Sequence, residues 1–324
     1  MYAPETYAAA LGLMLMSVAC WGSWPNLLKA LPNWRLEYFY LDYTFGFLLT
    51  VLVCAATLGS DGLVGTDFVQ RLFQAGGREV GLALLGGFLW NLGNVLLLTS
   101  IMIAGLAVAF PITIVLALVL GVGMSYWANP IGEVHWLAGG VVILVAAAGM
   151  NAAAYQRLSA PSSSSKPRAI ALALLAGVMI GLFPPFVGAA ISSQTPLDPY
   201  SVSLCFVAGA CVATLVAVPA LLARPLIGNV ASLRGYGEGK GAWHLMGLVA
   251  GAIWCLGTVV NFASAGMVGI AISWAIGSGA PMVGALWGIF YWKEFAGTGR
   301  AAKILIGLSL GLYVAGVAAV AVAY

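Results

Sequence analysis

The chain has 324 residues, of which 62% are hydrophobic and only 7% are charged, and its formal net charge is +3. A soluble domain normally has about a quarter of its residues charged, so this composition excludes a soluble enzyme, a nucleic-acid-binding domain and a disordered segment. The apolar runs are continuous rather than alternating, which excludes an outer-membrane barrel and favours an all-α polytopic membrane protein.

Ten apolar runs are long enough to cross a bilayer, because about 20 helical residues span its hydrocarbon core. They lie near 8–28, 38–58, 80–102, 105–127, 134–154, 169–191, 200–222, 243–264, 267–291 and 301–323. The segment between the fifth and sixth runs is rich in Ser and Pro, which predicts a linker. The predicted organisation is a first five-helix repeat at 1–154, a cytoplasmic linker at 155–168 and a second five-helix repeat at 169–324.

Basic residues are concentrated on one side of the predicted bundle. Of the 13 Lys and Arg residues, eleven fall on the side of the linker and only Arg71 and Arg78 fall on the other. Basic loops are retained in the cytoplasm. The expected topology therefore has the linker inside and both termini outside the cytoplasm, in the inner or plasma membrane.

The first run ends in a tryptophan-rich segment, with Trp21 and Trp24 just before Pro25. An indole ring with its N–H suits a flat, hydrogen-bonding solute, and a proline leaves nearby carbonyls free to accept hydrogen bonds. Trp21 and Trp24 are therefore candidate solute contacts. The alternative is an aromatic belt at the membrane interface, since both residues lie toward the cytoplasmic end of the run.

The second run contains Asp42, the one acid well inside an apolar run, accompanied by Glu37 and Tyr40. Intramembrane carboxylates are costly and tend to mark ion or proton pathways. Asp42 and Glu37 are therefore candidates for proton coupling, and Tyr40 is a candidate solute contact. The alternative is that Asp42 lies near the interface and pairs with Arg35 or Lys29.

The third and eighth runs carry polar and aromatic side chains at matching positions. Amide side chains offer both donors and an acceptor, the groups needed to bind a carbonyl or a pair of hydroxyls. The alternative is that these side chains only join helices to one another. The candidate solute contacts in the two runs are Trp90, Asn91, Asn94, Trp254, Thr258 and Asn261.

The two halves of the chain also align with each other. GFLWNLGNV at 87–95 aligns with GAIWCLGTV at 251–259, an offset of 164 residues, and the same offset aligns GLAVAF at 105–110 with GIAISW at 269–274. The second match adds Trp274 to the candidate site. A half with five spans must insert its repeat in the opposite orientation, and inverted repeats are typical of secondary transporters with a midplane site.

Several segments resemble the ureide permease group and the related bacterial glucose/ribose-type porters of the drug/metabolite transporter superfamily. They are CWGSWPNLLK at 20–29, WRLEYFYLDYTFG at 34–46, LLGGFLWNLGNVLLL at 84–98 and GALWGIFYWKEF at 284–295. The resemblance implies a ten-span, five-plus-five carrier of ureides, nucleobases or monosaccharides, with uptake that is often proton-coupled. The central linker is shorter than that of plant ureide permeases.

We therefore expect a secondary active transporter that takes up a small neutral polar solute by alternating access. The alternatives are a drug or metabolite exporter of the same superfamily and a non-transporting receptor or assembly subunit. No catalytic motif occurs and the five cysteines are scattered, so we expect no enzyme activity, cofactor or metal. The expected partners are the solute, the bilayer and protons but not nucleic acid, and the expected assembly is a monomer or weak homodimer.

Overall fold

The computed structural model describes residues 1–60, 65, 67–158 and 166–324. Among these residues ten helices are long and apolar enough to cross a membrane, which confirms the ten predicted spans. Residues 159–165 of the predicted linker lie outside the described residues. The spans, numbered 1 to 10 here, are Tyr7–Lys29, Leu36–Thr57, Gly77–Ala104, Val108–Ala128, Val134–Gln156, Pro167–Ile191, Pro199–Ala223, Gly241–Val268, Ile270–Tyr291 and Arg300–Val322.

Side-chain caps fix the start of two spans. Span 1 follows Thr6, whose hydroxyl accepts a hydrogen bond from the Ala9 N–H at 3.2 Å. Span 7 follows Asp198, whose carboxylate accepts from the N–H groups of Tyr200 and Ser201 at 2.9 and 3.1 Å. Such caps supply acceptors to N–H groups that have no partner within the helix.

Spans 1 and 9 are interrupted. Span 1 breaks at Trp24 into Tyr7–Ser23 and Pro25–Lys29, because Pro25 has no N–H to continue the helix. Gly22, just before this break, packs against the backbone of Ala280 in span 9. The sequence predicts span 9 as one helix, whereas it consists of two α-helices and a π-helical turn, at Ile270–Gly277, Ala280–Leu286 and Trp287–Tyr291. Among the described residues, the helices outside the spans are Asp67–Gln74 and the 3-10 helix Leu233–Tyr236.

Single glycines join spans at two related places. Gly105 separates the helix of span 3 from the one that continues into span 4, and Gly269 separates span 8 from span 9. Both have φ of +81°, with ψ of 160° and 152°. A residue with a Cβ rarely adopts this conformation. The two glycines are 164 residues apart, the offset of the sequence alignment.

Spans 3 and 8 lie at the centre of the packing. Span 3 packs against spans 6 and 7, and span 8 packs against spans 1 and 2. A Cβ on Gly87 would lie 1.8 Å from the Phe206 carbonyl oxygen, and one on Gly251 would lie 2.0 Å from the Tyr43 carbonyl oxygen. Glycine is therefore required at both crossings, since small residues allow membrane helices to approach closely.

Both termini lie at one end of the bundle, here called the terminal end. The rings of Tyr7 and Tyr324 stack with centroids 5.0 Å apart, and the Tyr200 hydroxyl donates to the Tyr2 carbonyl at 2.9 Å. The opposite end, called the linker end, contains Lys29, the end of span 5 and the start of span 6. An even number of spans accounts for this arrangement.

Candidate functional site

A cavity of about 760 Å³ lies among the spans in the half of the bundle nearer the linker end. Phe183, Phe206 and Trp274 line its inner part, and Lys29 and Glu294 line it at the linker end. This volume is typical of a small-molecule site. Both interrupted spans border the cavity, which agrees with the rule that broken helices at membrane depth occur beside protein cavities.

Tryptophan rings form much of the cavity wall. Trp90 of span 3 and Trp254 of span 8 stack with ring centroids 4.0 Å apart and an interplanar angle of 19°. Trp21 and Trp274 meet edge to face with centroids 5.9 Å apart. Trp24 also lines the cavity, at the break of span 1. The wall therefore offers large flat apolar surfaces with N–H groups at their edges.

The indole N–H groups differ in their hydrogen bonding. The Trp21 N–H donates to the Thr258 hydroxyl at 3.2 Å, and this hydroxyl donates to the Trp254 carbonyl at 3.1 Å. Among the described residues no acceptor is found for the N–H of Trp90 or of Trp254. Neither nitrogen is among the fully enclosed side-chain atoms that lack a partner, so both N–H groups keep open space beside them and are available to a bound solute.

An amide network connects the cavity to the bundle behind it. Asn94 lines the cavity and donates its amide to the Tyr40 hydroxyl at 2.9 Å, which leaves its amide oxygen without a donor among the described residues. Tyr40 in turn donates to the Asn91 amide oxygen at 2.6 Å. Asn91 donates to the Ala210 carbonyl at 2.6 Å and to the Thr214 hydroxyl at 2.7 Å. Asn91 therefore joins spans 3, 2 and 7, and only Asn94 reaches the cavity.

Asn261 lies behind the cavity rather than in its lining. Its side chain is buried, and its amide donates to the Ser273 carbonyl in the first turns of span 9 at 3.1 Å. Of the ten residues predicted to contact a solute, the structure does not place Tyr40, Asn91 and Asn261 in the lining. The other seven line the cavity: Trp21, Trp24, Trp90, Asn94, Trp254, Thr258 and Trp274.

The two predicted proton-coupling residues lie outside the cavity lining. Asp42 is buried and accepts hydrogen bonds from the Tyr236 hydroxyl and from His244 Nδ1, the latter at 2.9 Å. Burial and the neighbouring Asp42 raise the pKa of Tyr236 above its ordinary value. Glu37 forms an ion pair with Arg35 at 2.9 Å.

The alternative partners that the sequence suggests for Asp42 are therefore wrong, since Arg35 pairs with Glu37 and Lys29 pairs with Glu294. Asp42 instead joins span 2 to the start of span 8 and to the 3-10 helix before it. This contact joins segments about 200 residues apart, so the residues next to Asp42 in the sequence do not indicate it.

Other lining residues were not among the predicted contacts. Glu294, Tyr155 and Asn26 line the cavity near the linker end, and Asn151 lines it from span 5. The Tyr155 hydroxyl donates to Glu294 at 3.1 Å. No hydrogen-bond partner is found for the Asn151 amide among the described residues. The amides of Asn26 and Asn151 inside apolar runs are the sequence signal that could have identified them.

Parts of the chain are similar to plant ureide permeases. It is 34% identical to ureide permease 4 of Arabidopsis thaliana over 161 residues, which cover 48% of this chain and 40% of that protein. It is 30% identical to ureide permease 2 of the same plant over 174 residues, which cover 52% and 44%. The matched region therefore spans less than half the length of these relatives. They support a ureide permease-like family.

These permease relatives point to a transporter rather than to an enzyme. No protein-family model matches the chain. A crystal structure of another protein, 14% identical in sequence, superposes with a TM-score of 0.66 and covers 96% of both chains. At this low identity the likeness concerns the fold alone, and it extends over nearly the whole bundle.

Proposed function

We propose that the protein is a secondary active transporter that takes up a small neutral polar solute, such as a ureide, nucleobase or monosaccharide. The observation that carries the proposal is the cavity, which combines stacked tryptophans with indole N–H groups and an Asn94 amide oxygen that have no protein partner among the described residues. Flat rings stack on indole faces. The unpaired N–H groups of Trp90 and Trp254 suit the carbonyl or hydroxyl oxygens of such solutes.

The charge of the cavity supports a neutral solute. Among the described lining residues only Lys29 and Glu294 carry a formal charge, and they neutralise each other as an ion pair. The inner part, around Phe183, Phe206 and Trp274, has no charged group. Moving an ion into such a site without a counter-charge would be costly, which disfavours a cationic-drug exporter.

Alternating access of the two halves is the proposed mechanism. The cavity extends toward the linker end, while at the terminal end the segment before span 5 closes onto span 10, where Glu133 N–H donates to the Ala323 carbonyl at 2.7 Å. The matched pairs Trp90 with Trp254 and Gly105 with Gly269 support an inverted-repeat origin of the halves. With the basic linker end in the cytoplasm, the cavity faces inward.

The names of the plant relatives, which are ureide permeases, also support a carrier of this solute class. The proposal includes 1–154 and 169–324 as the two repeats, a plasma or inner membrane location, and protons as the coupling ion. A receptor or assembly subunit would need neither an open cavity of this size nor unpaired donors inside it.

The experiment is uptake into proteoliposomes of radiolabelled allantoin, uracil, glucose and ribose. Trp90→Ala removes one ring of the stacked pair, and Trp127→Ala is the matched control because Trp127 is 87% exposed on span 4. We expect the wild type and Trp127→Ala to take up at least one solute, and Trp90→Ala to take it up about tenfold more slowly, a loss of about 1.4 kcal/mol. Absence of uptake for all four solutes, or equal uptake by Trp90→Ala, would contradict the proposal.

A further inference from the structure

Glu294 is the one carboxylate among the described residues that line the cavity. It lies where the cavity meets the linker end, just after the π-helical turn of span 9. Asp42, the acid predicted from the sequence to couple transport to protons, lies outside the lining and is enclosed by Tyr236 and His244. Of these two acids, only Glu294 is in contact with the space that a solute would occupy.

Three spans meet at Glu294. One carboxylate oxygen forms an ion pair with Lys29, the last residue of span 1. The other accepts a hydrogen bond from the Tyr155 hydroxyl of span 5 at 3.1 Å. A Cβ on Gly288 of span 9 would lie 2.3 Å from that oxygen, so the glycine leaves room for the carboxylate in this position.

Trp292 also holds the end of span 1 close to Glu294. The Lys29 ammonium lies 4.6 Å from the centre of the Trp292 ring, and the Trp292 N–H donates to the Asn26 amide oxygen at 2.6 Å. Pro25 removes one hydrogen bond of span 1 just before these contacts, and the Asn26 amide donates across this gap to the carbonyls of Gly22 and Ser23 at 3.3 and 3.1 Å. The Lys29–Glu294 pair therefore holds one wall of the cavity mouth to the other.

We propose that Glu294 is the proton-binding group of the transport cycle, and that Lys29 and a proton compete for its carboxylate. This inference rests on the proposed function as a transporter. With the ion pair formed, as it is in this structure, the end of span 1 is tied to the end of span 9 at the mouth and Glu294 is ionised. When the pair separates, Glu294 loses its counter-charge and takes a proton from a hydronium ion at the mouth, forming an O–H bond and leaving a water molecule, while Lys29 keeps its own charge.

Other charged groups near the mouth do not replace Lys29 in this role. Arg157, Arg300 and Lys303, from the ends of spans 5 and 10, are exposed, and no ion pair joins them to Glu294 among the described residues. Lys293, the preceding residue, is also exposed and has a left-handed backbone with φ of +52°. The titratable groups in contact with the Glu294 carboxylate are Lys29 and Tyr155.

Proton binding can be measured without knowing the solute. Infrared difference spectra of the reconstituted wild type between alkaline pH and about pH 6, above the range near about 4 in which exposed carboxylates titrate, are expected to contain the C=O stretch of a newly protonated carboxylic acid. Glu294→Gln should lose this band. The matched control is Glu238→Gln, because the side chain of Glu238 is 72% exposed at the same end of the bundle. A band that survives in Glu294→Gln, or that is lost only in Asp42→Asn, would overturn the proposal.

Lys29→Met provides a second variant that keeps Glu294 in place. Without its competitor Glu294 should bind the proton more tightly, so the midpoint of the infrared titration should move to higher pH. An unchanged midpoint would overturn the competition between Lys29 and the proton. Folding of each variant is checked by the retention of a single peak in size-exclusion chromatography.

The transport assay separates this inference from the proposed function. In Glu294→Gln we expect exchange of labelled for unlabelled solute to persist for whichever of allantoin, uracil, glucose or ribose the wild type carries, while the pH dependence of net uptake is lost. Persistent pH-dependent net uptake in this variant would overturn the role of Glu294 and leave the transporter proposal intact. Failure of the wild type to carry any of the four solutes would instead contradict the proposed function.

Discussion

Asn94 and Asn261 are both buried amides, but only Asn94 faces the cavity. We expect Asn94→Ala to lower uptake per folded molecule at least about tenfold, because solute groups that pair with the amide would be left unpaired at a cost of about 1–3 kcal/mol. Tyr40 would keep its hydrogen bond to Asn91, so expression should be unchanged. Uptake kinetics normalised to folded protein test this, and normal uptake would place the solute elsewhere.

Asn261→Ala should act on stability first. Its amide donates to the Ser273 carbonyl and so holds span 9 against span 8. Removing a buried hydrogen bond costs about 1–3 kcal/mol when one partner remains. We expect a lower midpoint of thermal unfolding in detergent and a lower folded yield, with uptake per folded molecule close to that of the wild type. An unchanged midpoint together with a large loss of uptake would show that Asn261 contacts the solute.

The contrast between these two amides shows what helical periodicity can predict. Spacing i, i+4, i+7 places Trp254, Thr258 and Asn261 on one face of span 8, and Trp254 and Thr258 do line the cavity. Asn261 lies about 4.5 Å further along the helix at 1.5 Å per residue, where span 9 covers it. Periodicity gives the face of a helix, but the depth at which a cavity ends depends on the neighbouring helices.

The acids illustrate the same limit over longer distances. Asp42 is only six residues from the start of the helix at Leu36, and the segment that covers it lies near Tyr236. Glu294 follows Lys293 in sequence, which suggests a local ion pair, yet its partner is Lys29 at the end of span 1. Neither pairing could be predicted from one sequence, because each depends on the packing of segments about 200 residues or more apart.

At the scale of the element, the ten spans follow from composition, since each is an apolar run of sufficient length. Pro25 marks the break of span 1 because it cannot continue the hydrogen bonding of the helix. Pro111 and Pro219, however, lie inside continuous helices, so a proline alone does not predict a break. The break of span 9 has a weaker signal, at Gly277 and Gly279 beside Pro281. Glycines of this kind are common in membrane helices, so composition alone does not distinguish a break from a close crossing.

The turn between spans 3 and 4 gives an element-scale prediction. Nothing lies within 4 Å of a Cβ built on Gly105, so Gly105→Ala would meet no steric obstacle except its own backbone with φ of +81°. Forcing a residue with a Cβ into such a conformation costs about 1–3 kcal/mol. We therefore expect a lower midpoint of thermal unfolding.

The matched control is Gly123→Ala in the helix of span 4. A Cβ there also has nothing within 4 Å, and the backbone is helical. Alanine in a helix is preferred to glycine by up to about 1 kcal/mol, so this variant should be as stable as the wild type or more stable. Equal stability of Gly105→Ala and Gly123→Ala would mean that the turn adapts to alanine.

At the scale of the whole molecule, the two ends of the bundle differ both in charge and in where the cavity extends. Eleven of the 13 basic residues belong to the linker end, and Arg71 and Arg78 belong to the terminal end. The cavity extends toward the basic end. If the basic end is cytoplasmic, this conformation presents the cavity to the cytoplasm, the side on which an uptake carrier releases its solute.

The orientation itself is the last prediction. Tyr7 and Tyr324 stack at the terminal end, so both termini must lie on the same side of the membrane. Because basic connections are retained in the cytoplasm, a reporter that is active only in the cytoplasm should be silent when fused after Tyr324. The same reporter inserted in the linker at 155–168 should be active and serves as the control. Activity after Tyr324 with silence in the linker would invert the topology, and the cavity would then open to the outside in this conformation.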